Sequence, residues 1–217
     1  LVADCVKAMR DAVSIPVTVK HRIGLDREER YAFVRDFVGT VAAAGCGVFI
    51  VHARNAVLKG LSPKENREIP PLNYQRVYGI KKKHPQITVV INGGIATIDD
   101  AEEHLHHVDG VMLGRAAYNT PWLLAEVDGR FFGDGAGTPG HPLDVIERMK
   151  PYVSQQLAEG VWLQNITRHM LGLYHAQAGG RFWRQILTMD GQRRGAGIEV
   201  IKAAMSAVEQ EAVKHAA

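Results

Sequence analysis

Glycines and one arginine follow two apolar segments of this sequence, at positions where a phosphate could bind. Asn92, Gly93 and Gly94 come directly after ITVVI, and Gly114 and Arg115 come directly after GVML. Because glycine has no side chain, backbone N–H groups can approach an anion closely there, and the start of a following helix adds a favourable dipole. The two segments therefore predict a phosphate cradle, although Asn92-Gly93-Gly94 taken alone could be only a tight turn.

Two ionisable side chains end two other apolar segments. Lys20 follows PVTV, and His52 follows FIV. A fixed ammonium can stabilise the electron-rich ring atoms of a cofactor such as a reduced flavin. An imidazole can donate a hydrogen bond to a phosphate or a ring, or act as an acid or a base. The alternatives are a lysine paired with a carboxylate at the rim and a hydrogen-bonded histidine of the core.

Arginines and aromatic residues accumulate late in the chain, a combination that suits phosphate contacts and base stacking. Arg181 and Arg184 are three residues apart in a predicted helix, so they share a face. The pattern predicts a nucleic-acid surface, and the alternative is ordinary surface charge with Phe182 and Trp183 in the helix core. Further members are Trp162, Arg168, His169, Arg193 and Arg194, and the pair Lys64 and Arg67 after the second strand.

Histidines and cysteines give weaker signals. His104 and His107 lie on a predicted surface helix, but no cysteine or carboxylate at ligand spacing completes a metal site, so none is expected. Cys5 lies on the apolar stripe of the first helix, and Cys46 lies at the amino end of its strand. Neither position is typical of a nucleophile.

Composition narrows the class of protein. The 217 residues are 46% hydrophobic and carry a net charge of +3, which indicates a folded globular protein and permits a nucleic-acid partner. No apolar run reaches the roughly 20 residues of a membrane span, and no signal peptide is recognisable. Two cysteines build no disulfide framework, so a reducing cytoplasm is expected. Because the chain starts with Leu1 inside a predicted helix, we expect a piece of a longer protein.

Strands and helices alternate along the first part of the chain. Strands are predicted over 15–24, 47–54, 87–95 and 109–118, the last with its outgoing loop, and helices over 1–13, 26–44, 74–84 and 96–107. Near-continuous apolar strands of this kind are typical of a parallel sheet in an α/β fold. A Gly- and Pro-rich linker follows over 131–142, and then only helices are predicted, within 143–178, around Arg181 and over 198–215.

An open doubly wound sheet and a (β/α)₈ barrel both fit this alternation. Polar or glycine residues end all four strands, which favours a TIM barrel, where the carboxyl ends of several strands build the site. Four units are half a barrel, so the other half is expected upstream of Leu1. We therefore predict the carboxyl-terminal half of a TIM barrel over residues 1–130, followed by a small all-helical domain over 131–217.

Four segments together resemble one known family. PVTVKHRIG, FIVHARNAVLKGLSPKENREIPPL, VVINGGI and GVMLGRAAYNTPWLL are similar, in this order, to the carboxyl-terminal part of tRNA-dihydrouridine synthases, with the DusA type as the nearest branch. The resemblance implies an FMN-binding TIM barrel and a helical tRNA-binding domain. It also implies reduction of the 5,6 double bond of D-loop uridines, with NADPH as the reductant of the flavin.

Individual roles also follow from the resemblance. It implies that Lys20 and His52 bind FMN, and that tRNA is bound by Lys64 and Arg67 in SPKENR and by Arg181 and Arg184 in RFWR. The residues implied for the FMN phosphate are Asn92, Gly93, Gly94, Gly114 and Arg115.

One feature of the family is missing from this sequence. The family protonates uridine C5 with a cysteine in an Asn-x-Gly-Cys-Pro segment, which is expected upstream of Leu1 and is matched by neither Cys5 nor Cys46. Three hypotheses follow: part of a flavin-dependent tRNA-modifying oxidoreductase, another FMN barrel with a small substrate, or a non-catalytic RNA-binding piece. The Arg-bearing helical part favours the tRNA-modifying oxidoreductase over the FMN barrel with a small substrate, since the latter has no use for such a part.

Overall fold

The chain folds into two compact units, Leu1–Gly114 and Arg115–Ala217. The structure is a computed structural model that describes residues 1–28, 30–133, 135 and 137–216. The predicted boundary after residue 130 falls inside the second unit. The assignment of 1–130 to FMN and of 131–217 to tRNA stays a prediction.

The first unit is a parallel sheet covered by helices, and its elements alternate as predicted. Its strands are β1 (Val19–Leu25), β2 (Val48–Ala56), β3 (Thr88–Asn92) and β4 (Gly110–Met112), and its helices are α1 (Val2–Ala12), α2 (Tyr31–Ala43), α3 (Tyr74–Lys83) and α4 (Ile98–Leu105). The strands are all parallel, in the order β1-β2-β3-β4. Consecutive strands are therefore neighbours without a reversal of order, as in a barrel and unlike a doubly wound sheet. The predicted α/β class is confirmed.

Side chains alternate between two different environments across this sheet. Phe49 and Val51 of β2 and Val89 and Ile91 of β3 are fully buried, on the face that packs against the helices. The residues between them are only half-buried. Because successive side chains of a strand point to opposite faces, the half-buried set lies on the face away from the helices.

Several predicted boundaries differ from the structure. The first strand begins at Val19 rather than residue 15, because Pro16 lacks an N–H for the ladder and Ile15 is exposed. The second helix begins at Tyr31 rather than residue 26, since Asp26 lies in a turn with φ +49°. Residue 29 of that predicted helix lies outside the described residues. The strand predicted over 109–118 ends at Met112, and its second half begins a helix instead.

Helices, joined by turns and loops, are the only regular secondary structure in the part of the second unit that the structure describes. Its helices are α5 (Arg115–Asn119), α6 (Pro142–Ala158), α7 (Leu163–Thr167), α8 (Gly180–Met189) and α9 (Ile198–Ala216), with a 3₁₀ turn at Pro121–Glu126 and a π turn at Asp128–Phe132. The core surrounds Trp183, whose indole Nε1 donates to the Met170 carbonyl over 2.9 Å. Residues 134 and 136 of the predicted linker lie outside the described residues. Within the described ranges, no helix is long and apolar enough to cross a membrane.

Candidate functional site

Polar side chains from three strands lie side by side at the carboxyl edge of the sheet. Arg22 of β1 is in register with His52 of β2, His52 with Asn92 of β3, and Asn92 with Met112 of β4. His52 and Asn92 are half-buried and belong to the face away from the helices. The sheet therefore brings the predicted residues His52 and Asn92 into one row with Arg22, and Lys20 lies two residues earlier on β1.

Asn92 links three strands through its side chain. Its amide Nδ2 donates to the Met112 carbonyl over 2.7 Å, and its Oδ1 accepts a hydrogen bond from the Lys20 ammonium over 3.1 Å. Among the described residues, no carboxylate forms an ion pair with Lys20, which rules out the rim ion pair for this part of the chain. Partial burial, and then the charge of Arg22, lowers the pKa of Lys20. The amide contact thus fixes the ammonium without neutralising it.

Gly93 and Gly94 form a tight turn directly after Asn92. Both adopt a left-handed backbone, with φ +116° and +75°, which favours glycine. A Cβ on Gly93 would lie 3.1 Å from His52 Nε2, and one on Gly94 would lie 2.5 Å from Leu72 Cδ1. Only glycines fit these two positions, and they bring bare backbone beside the His52 ring.

Neighbouring backbone groups complete this part of the sheet edge. At Gly114, two residues after β4, an added Cβ would meet nothing within 4 Å, so the backbone borders open space. The N-terminus of α4 is occupied by its own cap, in which Asp100 N–H donates to Thr97 Oγ1 over 3.0 Å and the Asp100 carboxylate accepts from Thr97 N–H over 3.2 Å. The bare backbone at this edge is therefore that of Gly93 and Gly94, and the capped start of α4 offers fewer free N–H groups than the sequence suggested. That a phosphate binds here stays a prediction.

Two residues that sequence reasoning missed lie beneath this glycine turn. The Tyr74 hydroxyl donates to the Gly93 carbonyl over 2.9 Å, and Leu72 packs against Gly94. Both follow a Pro-rich segment whose pattern predicts only a loop and the start of a helix. No motif in the sequence marks them, because the contacts cross about 20 residues of chain.

Two arginines bind backbone carbonyls of the loop between β2 and α3 and of the strand end before it. Arg22 donates to the carbonyls of Asn55 over 3.0 Å and Asn66 over 2.7 Å, and the buried Arg54 donates to the Pro70 carbonyl. Burial, and then the charges of Arg54 and Arg67, lowers the pKa of Arg22. Both arginines end sequence motifs, VKHR for Arg22 and VHAR for Arg54. Their spacing alone does not reveal that they bind the carbonyls of this loop.

The predicted tRNA-binding residues of this loop are both exposed. Lys64 immediately precedes the 3₁₀ turn Glu65–Arg67, and Arg67 ends it. The turn is fixed by Glu65, whose carboxylate accepts from Ser62 N–H over 2.8 Å. The loop therefore presents two cations on an ordered backbone.

A second basic surface lies on α8 in the other unit. Arg181 and Arg184 are exposed, and within the described part of the chain neither side chain has a hydrogen-bond or ion-pair partner. Phe182 between them is 41% exposed, whereas Trp183 is fully buried. The core alternative is therefore wrong for Phe182 and right for Trp183. Arg115, the first residue of α5, is also exposed.

The surrounding arginines and histidines are placed differently. Arg193 pairs with Asp190 over 2.8 Å, and His169 Nδ1 lies 2.9 Å from the Tyr118 hydroxyl. His104 is only 6% exposed and lies 2.7 Å from the Tyr78 hydroxyl, so its predicted surface position is wrong. Among the described residues, no three potential metal ligands come together.

Comparison with known proteins matches this architecture to one family. The model of the dihydrouridine synthase (Dus) family matches residues 1–209. The chain belongs to the dihydrouridine synthase family. It is 53% identical over 209 residues to the tRNA-dihydrouridine(20/20a) synthases of Salmonella typhimurium (strain LT2) and Escherichia coli (strain K12), covering 96% of this chain and 63% and 60% of those proteins. The Vibrio vulnificus protein of the same name is 50% identical over 212 residues, covering 97% of this chain and 65% of that protein.

The chain thus spans 60–65% of the length of these dihydrouridine synthases. A crystal structure of mandelate oxidase is also similar, at 16% identity and a TM-score of 0.35, over 97% of this chain and 66% of that one. That likeness is too low to bear on fold or function.

Neither cysteine of this dihydrouridine synthase chain lies at the carboxyl edge of the sheet. Cys46 is buried before β2, and its thiol lies 3.3 Å from the Val48 carbonyl. Cys5 is exposed on α1. The expectation that neither is the nucleophile or proton donor of the site stays a prediction.

Proposed function

We propose that this chain is part of a flavin-dependent tRNA-dihydrouridine synthase that reduces the 5,6 double bond of D-loop uridines. The observation that carries the proposal is the row at the sheet edge, where Asn92 holds the Lys20 ammonium beside His52 and the bare glycine backbone. Family membership and the names of the relatives support the same reaction. We propose FMN as the flavin, NADPH as its reductant, and the cytoplasm as the location.

The residues present fit FMN. Lys20 offers a fixed positive charge and His52 a polar ring edge for the flavin, while Gly93 and Gly94, which have no side chains, offer bare backbone to a phosphate. Asn92, Gly114 and Arg115 complete the proposed phosphate-binding set. A bound flavin supplies hydride-transfer chemistry, which no amino-acid side chain provides.

This chain's own part in the reaction is electrostatic and positional. The Lys20 ammonium stabilises negative charge on the flavin ring, and Asn92 keeps that ammonium in place by accepting its hydrogen bond. The proton for uridine C5 is not assigned to Cys5 or Cys46, since one is on α1 and the other is buried at the amino end of β2. We propose that the cysteine lies in the segment expected before Leu1.

tRNA binding is proposed for two sets of cations, one in each unit. Lys64 and Arg67 lie on the loop after β2, and Arg181 and Arg184 lie on α8. Their exposed charges suit phosphate contacts, which position RNA without reading its sequence. Phe182, exposed between the two arginines, adds a face on which a base can stack.

Flavin binding is tested by an absorbance scan of protein expressed from the full natural reading frame, with this 217-residue chain scanned beside it. The full-length protein is expected to be yellow, to oxidise NADPH, and to convert uridine to dihydrouridine in unmodified tRNA. A Lys20→Met variant is expected to lose much of its activity, whereas Lys82→Met, on the exposed end of α3, serves as the control. A colourless full-length protein that still binds tRNA would refute the oxidoreductase and leave an RNA-binding protein.

Substitutions on α8 test the tRNA surface. Replacing Arg181 and Arg184 together with glutamine is expected to weaken tRNA binding and to reduce the slope of log K against log salt by about 1–2, since two phosphate contacts are lost. Lys82→Gln with Lys83→Gln is the charge-matched control in the other unit. An unchanged salt slope in the arginine variant would exclude α8 from the tRNA interface.

A further inference from the structure

The glycine turn at the end of β3 is held by a side chain from α3. Tyr74 donates its hydroxyl proton to the Gly93 carbonyl over 2.9 Å. Burial raises the pKa of Tyr74, so the hydroxyl keeps its proton at neutral pH. Because Asn73 caps α3 by accepting from Arg76 N–H over 3.2 Å, the first turn of the helix that carries Tyr74 is itself fixed.

The hydrogen bond to Gly93 determines where the next amide points. The peptide bond between Gly93 and Gly94 is trans. In a planar trans peptide the C=O and the following N–H point in opposite directions. With the Gly93 carbonyl directed at Tyr74, the Gly94 N–H is directed away from α3. Across the described ranges of the chain, that N–H donates to no other group, so it remains available to an anion.

Neighbouring contacts keep the turn from adjusting. A Cβ on Gly94 would lie 2.5 Å from Leu72 Cδ1 and 3.1 Å from the Tyr74 hydroxyl oxygen, so the turn is packed tightly on this side. Tyr74 is held in turn by the His104 ring, whose centroid lies 4.4 Å away in an edge-on arrangement. His104 lies 2.7 Å from the Tyr78 hydroxyl.

We infer that Tyr74 is a positioning residue for the phosphate of the flavin, acting through the Gly93–Gly94 peptide. It orients the Gly94 N–H toward the phosphate and touches neither the flavin ring nor the uridine. The inference rests on the proposed function, because it requires that this turn receives a flavin phosphate. It predicts an effect that is confined to ligands that carry the phosphate.

The test compares FMN with riboflavin, which has the same ring and ribityl chain without the phosphate. Dissociation constants are measured by quenching of flavin fluorescence on protein from the full natural reading frame. Tyr74→Phe is expected to weaken FMN binding about fivefold, which matches the net contribution of one hydrogen bond, and to change riboflavin binding by less than about twofold. Tyr31→Phe is the matched control, since it removes the same hydroxyl on α2 of the same unit, where it has no hydrogen-bond partner among the described residues, and it should leave both ligands unaffected.

A second variant and a melting curve separate positioning from folding. Gly94→Ala disturbs the same peptide from the other side, so it should also weaken FMN more than riboflavin. Thermal melting without flavin shows whether each variant is folded. A Tyr74→Phe protein that binds FMN as the wild type does, or that loses FMN and riboflavin equally, would overturn the inference and leave the proposed function intact. A wild-type protein that binds neither flavin would overturn both.

Discussion

Replacing Asn92 with alanine is expected to lower the free energy of unfolding by about 1.5 kcal/mol. The neutral, half-buried bond from Asn92 to the Met112 carbonyl, at 2.7 Å, accounts for about 1 kcal/mol of this. The bond from Lys20, at 3.1 Å, is exposed and contributes only about 0.5 kcal/mol because solvent screens it. The loss is therefore larger than a surface substitution causes and smaller than the loss of a core side chain.

Urea unfolding without flavin measures this difference, and a double-mutant cycle divides it. Lys20→Met, Asn92→Ala and the double variant should give a coupling energy of about 0.5 kcal/mol. Gln75→Ala, exposed on α3 of the same unit, should stay within about 0.5 kcal/mol of wild type. If Asn92→Ala unfolds at the same urea concentration as Gln75→Ala, the Asn92 side chain does not join the strands and the reasoning about the site is refuted.

Three further predictions test other contacts. Gly94→Ala should lower the free energy of unfolding by about 2 kcal/mol and Gly60→Ala by about 1 kcal/mol, because both glycines have a positive φ but only Gly94 is crowded. Midpoints of urea unfolding compare the two variants. Trp183→Ala should lower the free energy of unfolding by about 3–5 kcal/mol and Phe182→Ala by less than about 1 kcal/mol, because only Trp183 is fully buried. Thermal melting measures both, and equal losses of stability would contradict the difference in burial. A hydrogen bond from Thr97, the N-cap of α4, lowers the pKa of Asp100. The ionised carboxylate therefore stabilises the fold above the unfolded-state pKa of about 3.9, and this stabilisation is lost as the pH falls through the lower pKa of the folded state. Between pH 5 and pH 3 the free energy of unfolding should therefore fall less for Asp100→Asn than for the wild type.

The sequence predicted the row of site residues because of one rule of parallel sheets. Carboxyl ends of parallel strands meet at one edge, so His52 and Asn92 had to lie side by side once their strands were placed correctly. Lys20, two residues before the register partner of His52, reaches the same edge through its hydrogen bond to Asn92. The same reasoning could not find Tyr74, whose contact with Gly93 depends on how the loop before α3 returns to the sheet. Long-range contacts of this kind leave no periodic signal in a single sequence.

Helix faces were harder to assign than strand ends. Phe182 and Trp183 are adjacent, and successive side chains on a helix are about 100° apart, so only one of the two can lie at the centre of the core. Trp183 takes that place because its indole N–H reaches the Met170 carbonyl. His104 resembles its exposed neighbours in type, yet it is buried because Tyr78 accepts or donates a hydrogen bond there and Tyr74 packs on its ring.

The arginines beneath the loop between β2 and α3 also affect the thermodynamics of binding. Arg22 and Arg54 hold this loop at the carbonyls of Asn66 and Pro70, and Arg22 also binds Asn55 at the end of β2, so the backbone entropy of the loop is already lost when the protein folds. If tRNA binds this loop as proposed, its association orders the side chains of Lys64 and Arg67 on a backbone that is already ordered. A preorganised pair of cations binds with a smaller entropic penalty than the same two charges on a flexible segment.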